Sequence, residues 1–306
     1  MISFEEFKEI LREEVANKVD GEVSIVTVAK NNGVKLDALS VKSKLCNIAP
    51  LVYLDSFYKD YKKGRSIDSI VMTIVSINEQ DSGINKEVIN NFCDYDVMKE
   101  YLEIKLINKE SNKELLKTVP HLDFLDLVIV CMIKLPFEKE KGAGTVLIHK
   151  HHFEKWDISI DEMFDVAANN SMEKNPAVIR CMNDVIKEMY IGNCDLEEQE
   201  EDELCTMIDS MDSKLYVLTN QTKINGSVTI AYQDVLRDFA EKKNSNLYIL
   251  PSSIHEVIIL LEEENTNADD LRAMVQSVNS TELDEMEVLS NSVYYYDREL
   301  DKITIA

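Results

Sequence analysis

Asn31-Asn32-Gly33 stands between two runs of alternating character, residues 22–29 with Val23, Ile25 and Thr27 on one side, and residues 34–41. Asn-Gly accepts the positive φ angles of a tight turn at little cost, so the two runs are committed to an antiparallel hairpin. Segments of period two recur along the rest of the chain among segments of helical period, with hairpins as well as crossovers. That order predicts an α+β fold rather than a doubly wound parallel sheet: mixed, mainly antiparallel sheets with helices packed on them, in two closely packed halves.

Ser3 and Glu6 have the spacing of a capping box for a helix over 3–18, with Phe4, Phe7, Ile10, Leu11 and Val15 on one face. After Pro50 comes a short apolar run, 51–54, and then a helix from Asp55 that stops at Gly64. Ser66 caps another helix, apolar at Ile67, Ile70, Val71, Ile74 and Val75. Residues 102–107 and 125–135 read as strands, with 146–149 returning across the loop 138–144. One helix follows Ser159, and a second is expected near Pro176 with Val178, Ile179, Met182, Val185, Ile186 and Met189 on one face.

Residues 195–213 hold nine acids and no base, which reads as a solvated loop and as the boundary between regions 1–194 and 214–306. Beyond it are expected a strand over 215–218, a helix over 228–242, strands over 247–250 and 257–261, a helix over 268–278, and strands near 292–296 and 302–305.

The charge excludes more than it specifies. With 33 Lys and Arg against 57 Asp and Glu in 306 residues, the net charge is −24, which argues against direct binding to a phosphate backbone and leaves room for a basic partner. A 45% hydrophobic content is that of a folded chain. No run approaches the roughly 18 apolar residues of a membrane span. The acidic start, Met1-Ile2-Ser3-Phe4-Glu5-Glu6, lacks the features of a signal peptide, and the six scattered cysteines form no CxxC, so reduced thiols and a cytoplasmic location are expected.

Pro251-Ser252-Ser253-Ile254-His255-Glu256 contains the parts of a nucleophile–base–carboxylate set, making Ser252, Ser253, His255 and Glu256 the catalytic candidates. No G-x-S-x-G elbow accompanies them, and a turn between two strands accounts for the same residues. His255-Glu256 does not open a zinc-protease motif, because the second imidazole position holds Ile259. His149 and His151, with His152 beside them, are the metal candidates. On a continuing strand they share a face, with Glu154 and Asp157 close behind. Gly142-Ala143-Gly144 is too short to cradle a phosphate, and Thr145 opens a strand rather than a helix, so no cofactor is implied. The methionines fall mostly on predicted helix faces as core filling.

Several segments together resemble a known family. They are Lys30-Asn31-Asn32-Gly33-Val34, Asn47-Ile48-Ala49-Pro50-Leu51-Val52-Tyr53-Leu54 with Phe57-Tyr58, and Leu215-Tyr216-Val217-Leu218-Thr219-Asn220 with Asn225-Gly226. The segment from Leu247 through Glu256, then Val288-Leu289-Ser290 and Val293-Tyr294-Tyr295-Tyr296, complete the pattern. It resembles the domain of unknown function 5688 family, found in genomes and mobile elements of anaerobic gut bacteria. The resemblance spans nearly the whole chain, implies one continuous family unit and brings no activity with it. It draws attention to Ser252, Ser253, His255 and Glu256, and its mobile-element setting implies host interaction or counter-defence. The chain departs from the pattern at Leu260-Leu261-Glu262, where a proline is usual after the His-Glu pair.

With no complete catalytic set and a large acidic surplus, the leading expectation is a non-enzymatic cytoplasmic protein that binds a partner with a basic surface. The alternatives are a hydrolase using Ser252 or Ser253 with His255, and a small-molecule sensor with a pocket between the halves.

Overall fold

In the computed structural model the capping box at Ser3 forms: its hydroxyl accepts the Glu6 amide, and the Glu6 carboxylate accepts the Ser3 amide. This satisfies two of the amides that a helix start leaves open. Helix α1 (Phe4–Ala16) buries Phe7, Leu11 and Val15, each of which contributes about 1.5–3 kcal/mol by leaving water. The structure describes residues 2–42, 51–79, 91–135, 144–193, 198–210 and 213–306. By contacts the chain divides into two units, Met1–Met98 with Ile133–Val146, and Lys99–Met132 with Leu147–Ala306.

In the first unit, β1 (Glu22–Ala29) pairs antiparallel with β2 (Lys35–Lys42), which pairs with β3 (Leu51–Tyr53). Asn32 and Gly33 both take positive φ, 59° and 74°, as the hairpin requires. Helices α2 (Leu54–Lys62) and α3 (Ile67–Glu79) join α1 over a core of Leu39, Val52, Leu54, Ile70 and Ile74. Ser66 accepts the Ser69 amide at the start of α3. A part-buried ion pair sits beside this core, where the Lys8 ammonium meets the Asp37 carboxylate at 2.5 Å and Thr27 donates to the same carboxylate at 2.6 Å. These bonds hold the Asp37 pKa below the usual carboxylate range and raise that of Lys8.

The second unit contains β4 (Leu102–Asn108), β5 (His121–Phe124) and β6 (Leu127–Leu135), of which the last crosses the division between units; β7 (Gly144–Leu147) pairs with β6. The expected strand over 125–135 is thus the second arm of a hairpin, and Leu125 and Asp126 form its turn. Helix α4 (Ile160–Lys174) starts at the Ser159 cap, and its Ser171 hydroxyl accepts the Ile104 amide of β4 at 2.9 Å.

The larger sheet is antiparallel throughout. Its order is β13 (Lys302–Ile305), β12 (Tyr294–Asp297), β10 (Leu247–Leu250), β11 (Val257–Leu261), β9 (Leu215–Asn220) and β8 (Ala177–Cys181). Two corrections concern this sheet. Residues 177–181 are a strand rather than the first turn of a helix, because β-branched Val178 and Ile179 complete the ladder with β9. The helix α5 (Met182–Asn193) begins only afterwards. The acidic stretch, expected as a loop, forms helix α6 over Glu198–Asp209, and residues 194–197 and 211–212 lie outside the described ones. Ile208 is buried under that helix, and its carbonyl accepts Asn183 of α5 at 2.9 Å. Together α5 and α6 form an excursion between two adjacent strands.

Pairing register assigns the helices to faces. Leu250 and Ile258 share a face with Val275 and Leu271 of α8 (Ala268–Thr281), while Tyr216, opposite Ile259 on the other face, meets Phe239 of α7 (Val235–Lys243) edge to face. The longer helix expected over 228–242 is broken: residues 226–231 form a 3-10 segment, and Asp234 is left-handed at φ 66° before α7. Among the described residues no helix is long and apolar enough to cross a membrane, and no disulfide forms.

Candidate functional site

Pro251 cannot donate to a ladder, so β10 ends at Leu250 and residues 251–256 cross to β11 as a separate segment. This segment is bonded on both sides. On one, Ile254 donates to Glu287 O, Leu289 to Ser252 O and Ser290 to Pro251 O, with a bridge between Ser253 and Val288. On the other, the Ser227 hydroxyl donates to Ile254 O at 2.8 Å, and Thr219 donates to His255 O at 2.8 Å. Gly226 lies against the same strip; a β-carbon there would stand 2.5 Å from His255 O and 2.7 Å from Asn220 N.

The catalytic candidates share this strip without forming a relay. Ser253 is buried, and its Oγ accepts the His255 backbone amide at 3.0 Å, a local turn bond rather than a bond to the ring. The imidazole Nδ1 accepts the Asn225 amide at 3.3 Å, which assigns the ring proton of the neutral form to Nε2. Nε2 stands 3.8 Å from a Glu287 carboxylate oxygen. The ring's carboxylate neighbour is therefore Glu287 and not Glu256, which is half-buried at the head of β11. Neither Ser252 nor Glu256 bonds the imidazole. Sequence adjacency could not find Asn225 or Glu287, the residues that orient the ring; the one local signal was the Asn225-Gly226 pair.

The histidines lie elsewhere in this unit, and the strand does not continue through them. β7 ends at Leu147, and His149 precedes a helical turn over Lys150–Phe153. The His149 and His151 ring centres are 5.6 Å apart, and those of His151 and His152 are 3.9 Å apart. Two of the rings are held by neighbours, one backbone and one side chain: the His149 amide donates to His152 Nδ1 at 3.3 Å, and His149 Nδ1 meets the Thr118 hydroxyl at 3.1 Å. Burial, then the neighbouring imidazoles, push His152 down to about 4 and His149 below its ordinary value. Among the described residues no group of three or more His, Cys, Asp or Glu side chains is arranged to hold a metal ion.

A pH dependence follows from His152. The unfolded chain takes up this proton below about pH 6.5, and the folded chain only near 4, so stability falls as pH drops through that window. One site supplies at most about 1.4 kcal/mol per pH unit, and solvent screening of a half-buried ring reduces this. Urea midpoints read by fluorescence of buried Trp156 should fall between pH 7 and pH 5, and less so in His152→Gln. Equal slopes in the two proteins would exclude His152 as the source.

A third cluster gathers around Asp126. Its carboxylate accepts the hydroxyls of Ser290 at 2.6 Å, Ser292 at 2.9 Å and Tyr294 at 2.5 Å, the last from a fully buried ring. Leu125 precedes it at φ 58°, a strained conformation for a bulky side chain. Asp126 O also accepts the Lys109 amide, so both the carboxylate and the carbonyl of this turn residue are bonded. Burial and the Asp126 carboxylate push the Tyr294 hydroxyl pKa up, which keeps it a donor.

These features define an α+β protein with three mainly antiparallel sheets and a hydrogen-bonded crossover where the sequence places its catalytic candidates. The chain belongs to the family of unknown function DUF5688, which matches residues 4–298. No curated protein and no solved structure matches it.

Proposed function

We propose that this is a non-catalytic cytoplasmic protein that binds a partner protein through the partner's basic surface. The observation that carries this reading is where the acidic surplus falls. Residues 182–213 hold eleven acids and one lysine. Within this stretch α5 and α6 form, exposing Asp202, Glu203 and Asp209, and Lys187 pairs with Asp209. Exposed carboxylates of one sign raise the encounter rate with a basic surface and suppress acidic competitors. Hydrolysis through Ser252 or Ser253 with His255 is the lesser reading, since the Ser253 oxygen is occupied by a backbone amide.

The test is affinity capture from cell lysate at low and high salt, with an Asp202→Lys/Glu203→Lys protein alongside. One basic protein recovered at low salt, lost at high salt and lost by the charge-reversed protein is the expected result. A blank at both salts, or equal capture by the reversed protein, refutes the reading.

A further inference from the structure

The same two helices expose apolar side chains that acid–base attraction does not explain. Met189, Tyr190 and Ile191, in the last turns of α5, are 61%, 51% and 41% exposed, and Met207 of α6 is 59% exposed. Three consecutive exposed large apolar residues are more than the scattered single ones a surface ordinarily carries.

Their arrangement follows from the helix contacts. Asn183 bonds the carbonyl of Ile208, and Lys187 pairs with Asp209 and lies near Cys205, so α5 and α6 run antiparallel. The last turns of α5 then lie beside the early turns of α6, where Glu201, Asp202 and Glu203 stand. Along α6, Glu203 and Met207 are four residues apart and share one face. Consecutive helical residues point about 100° apart. Tyr190 and Ile191, three and four residues beyond Lys187, therefore lie on the side of α5 that meets α6, beside the carboxylates of its early turns, and Met189 points away from it.

We infer that the α5–α6 hairpin is a docking surface for a basic amphipathic helix of a partner protein, an inference that rests on the basic-partner reading above. A third helix packs into the ridge-and-groove surface of a helical pair, its apolar stripe taking the anchors and its flanking Lys or Arg residues meeting the carboxylates. The charge balance of the segment, eleven acids to one lysine, fixes the sign of that partner.

The experiment is fluorescence anisotropy with a labelled leucine–lysine peptide about five helical turns long. A second peptide of identical composition, with its leucines scattered around the helix, is the charge control. Tyr190→Ala/Ile191→Ala should weaken binding of the amphipathic peptide about tenfold, as loss of buried anchors does. Met207→Ala, on the other helix, should weaken it several-fold. Met274→Ala/Val278→Ala, which changes exposed apolar residues on α8, should leave it unchanged. All these side chains are exposed, so folding should survive, and circular dichroism checks that it does.

Equal affinity for the two peptides, or unchanged binding by both α5 and α6 variants, would overturn the docking inference while leaving the charge-based reading to the lysate result. No binding of either peptide would also overturn it.

Discussion

Gly226→Ala is expected to destabilise the second unit by about 3 kcal/mol, the upper end of what overpacking ordinarily costs. The methyl group would stand 2.1 Å from Thr219 Oγ1, 2.5 Å from His255 O and 2.7 Å from Asn220 N, all closer than carbon atoms sit. The Thr219 side chain can rotate away, but only by giving up its bond to His255 O. The other two atoms are backbone, held by the β9 ladder and by the crossover, so relief requires moving a strand. Urea unfolding followed by Trp156 fluorescence would show the loss as a lowered midpoint. Adding Thr219→Ala should not restore it, because the backbone contacts remain. A midpoint equal to that of the unaltered protein would mean that Gly226 does not pack against the crossover.

The second large effect is expected at Asp126. Asp126→Ala removes the acceptor shared by Ser290, Ser292 and Tyr294, leaving a fully buried phenol and a buried serine without it. Hydrogen bonds to a charged group contribute about 1.5–3 kcal/mol each and do not add simply, so a total of about 2–4 kcal/mol is expected. Tyr294→Phe removes a donor instead and leaves the carboxylate two hydroxyls, so it should cost less, about 1–2 kcal/mol. The order of the two variants is the informative result. If Tyr294→Phe were the more damaging, the Tyr294 hydroxyl would owe its contribution to something other than the Asp126 carboxylate.

What the sequence could tell depended on how far apart the deciding residues lie. The hairpin at Asn32-Gly33 was legible because its φ requirement is met by the turn residues themselves, and the Ser3, Ser66 and Ser159 caps are equally local. Residues 177–181 were misread because Val178, Ile179, Met182, Val185 and Ile186 fit a helical face as well as a strand followed by a helix. The deciding partner, β9, begins more than thirty residues later. In the acidic stretch, Leu204 and Ile208 were the helix signal, four residues apart, and the charge around them hid it. The crossover was recognised as a turn, and its serine–backbone bonding is the chemistry such turns favour. Its imidazole partners, Asn225 and Glu287, lie 30 residues before and 32 residues after His255, and apart from the Asn225-Gly226 pair nothing local marks them. The Asp126 cluster was invisible for the same reason, since the nearest of the three hydroxyls on its carboxylate is 164 residues distant in sequence.

Strands β8 and β9 lie side by side, yet the chain travels through two helices to join them. The entropy lost in closing such a connection grows only logarithmically with its length, so each doubling costs about 0.6 kcal/mol. The pairing register of these strands is set by their own side chains rather than by what connects them. The hairpin can therefore lengthen, shorten or change its surface chemistry with little effect on the sheet beneath. A lineage under pressure to follow a changing target could remodel this one segment and inherit the scaffold unaltered.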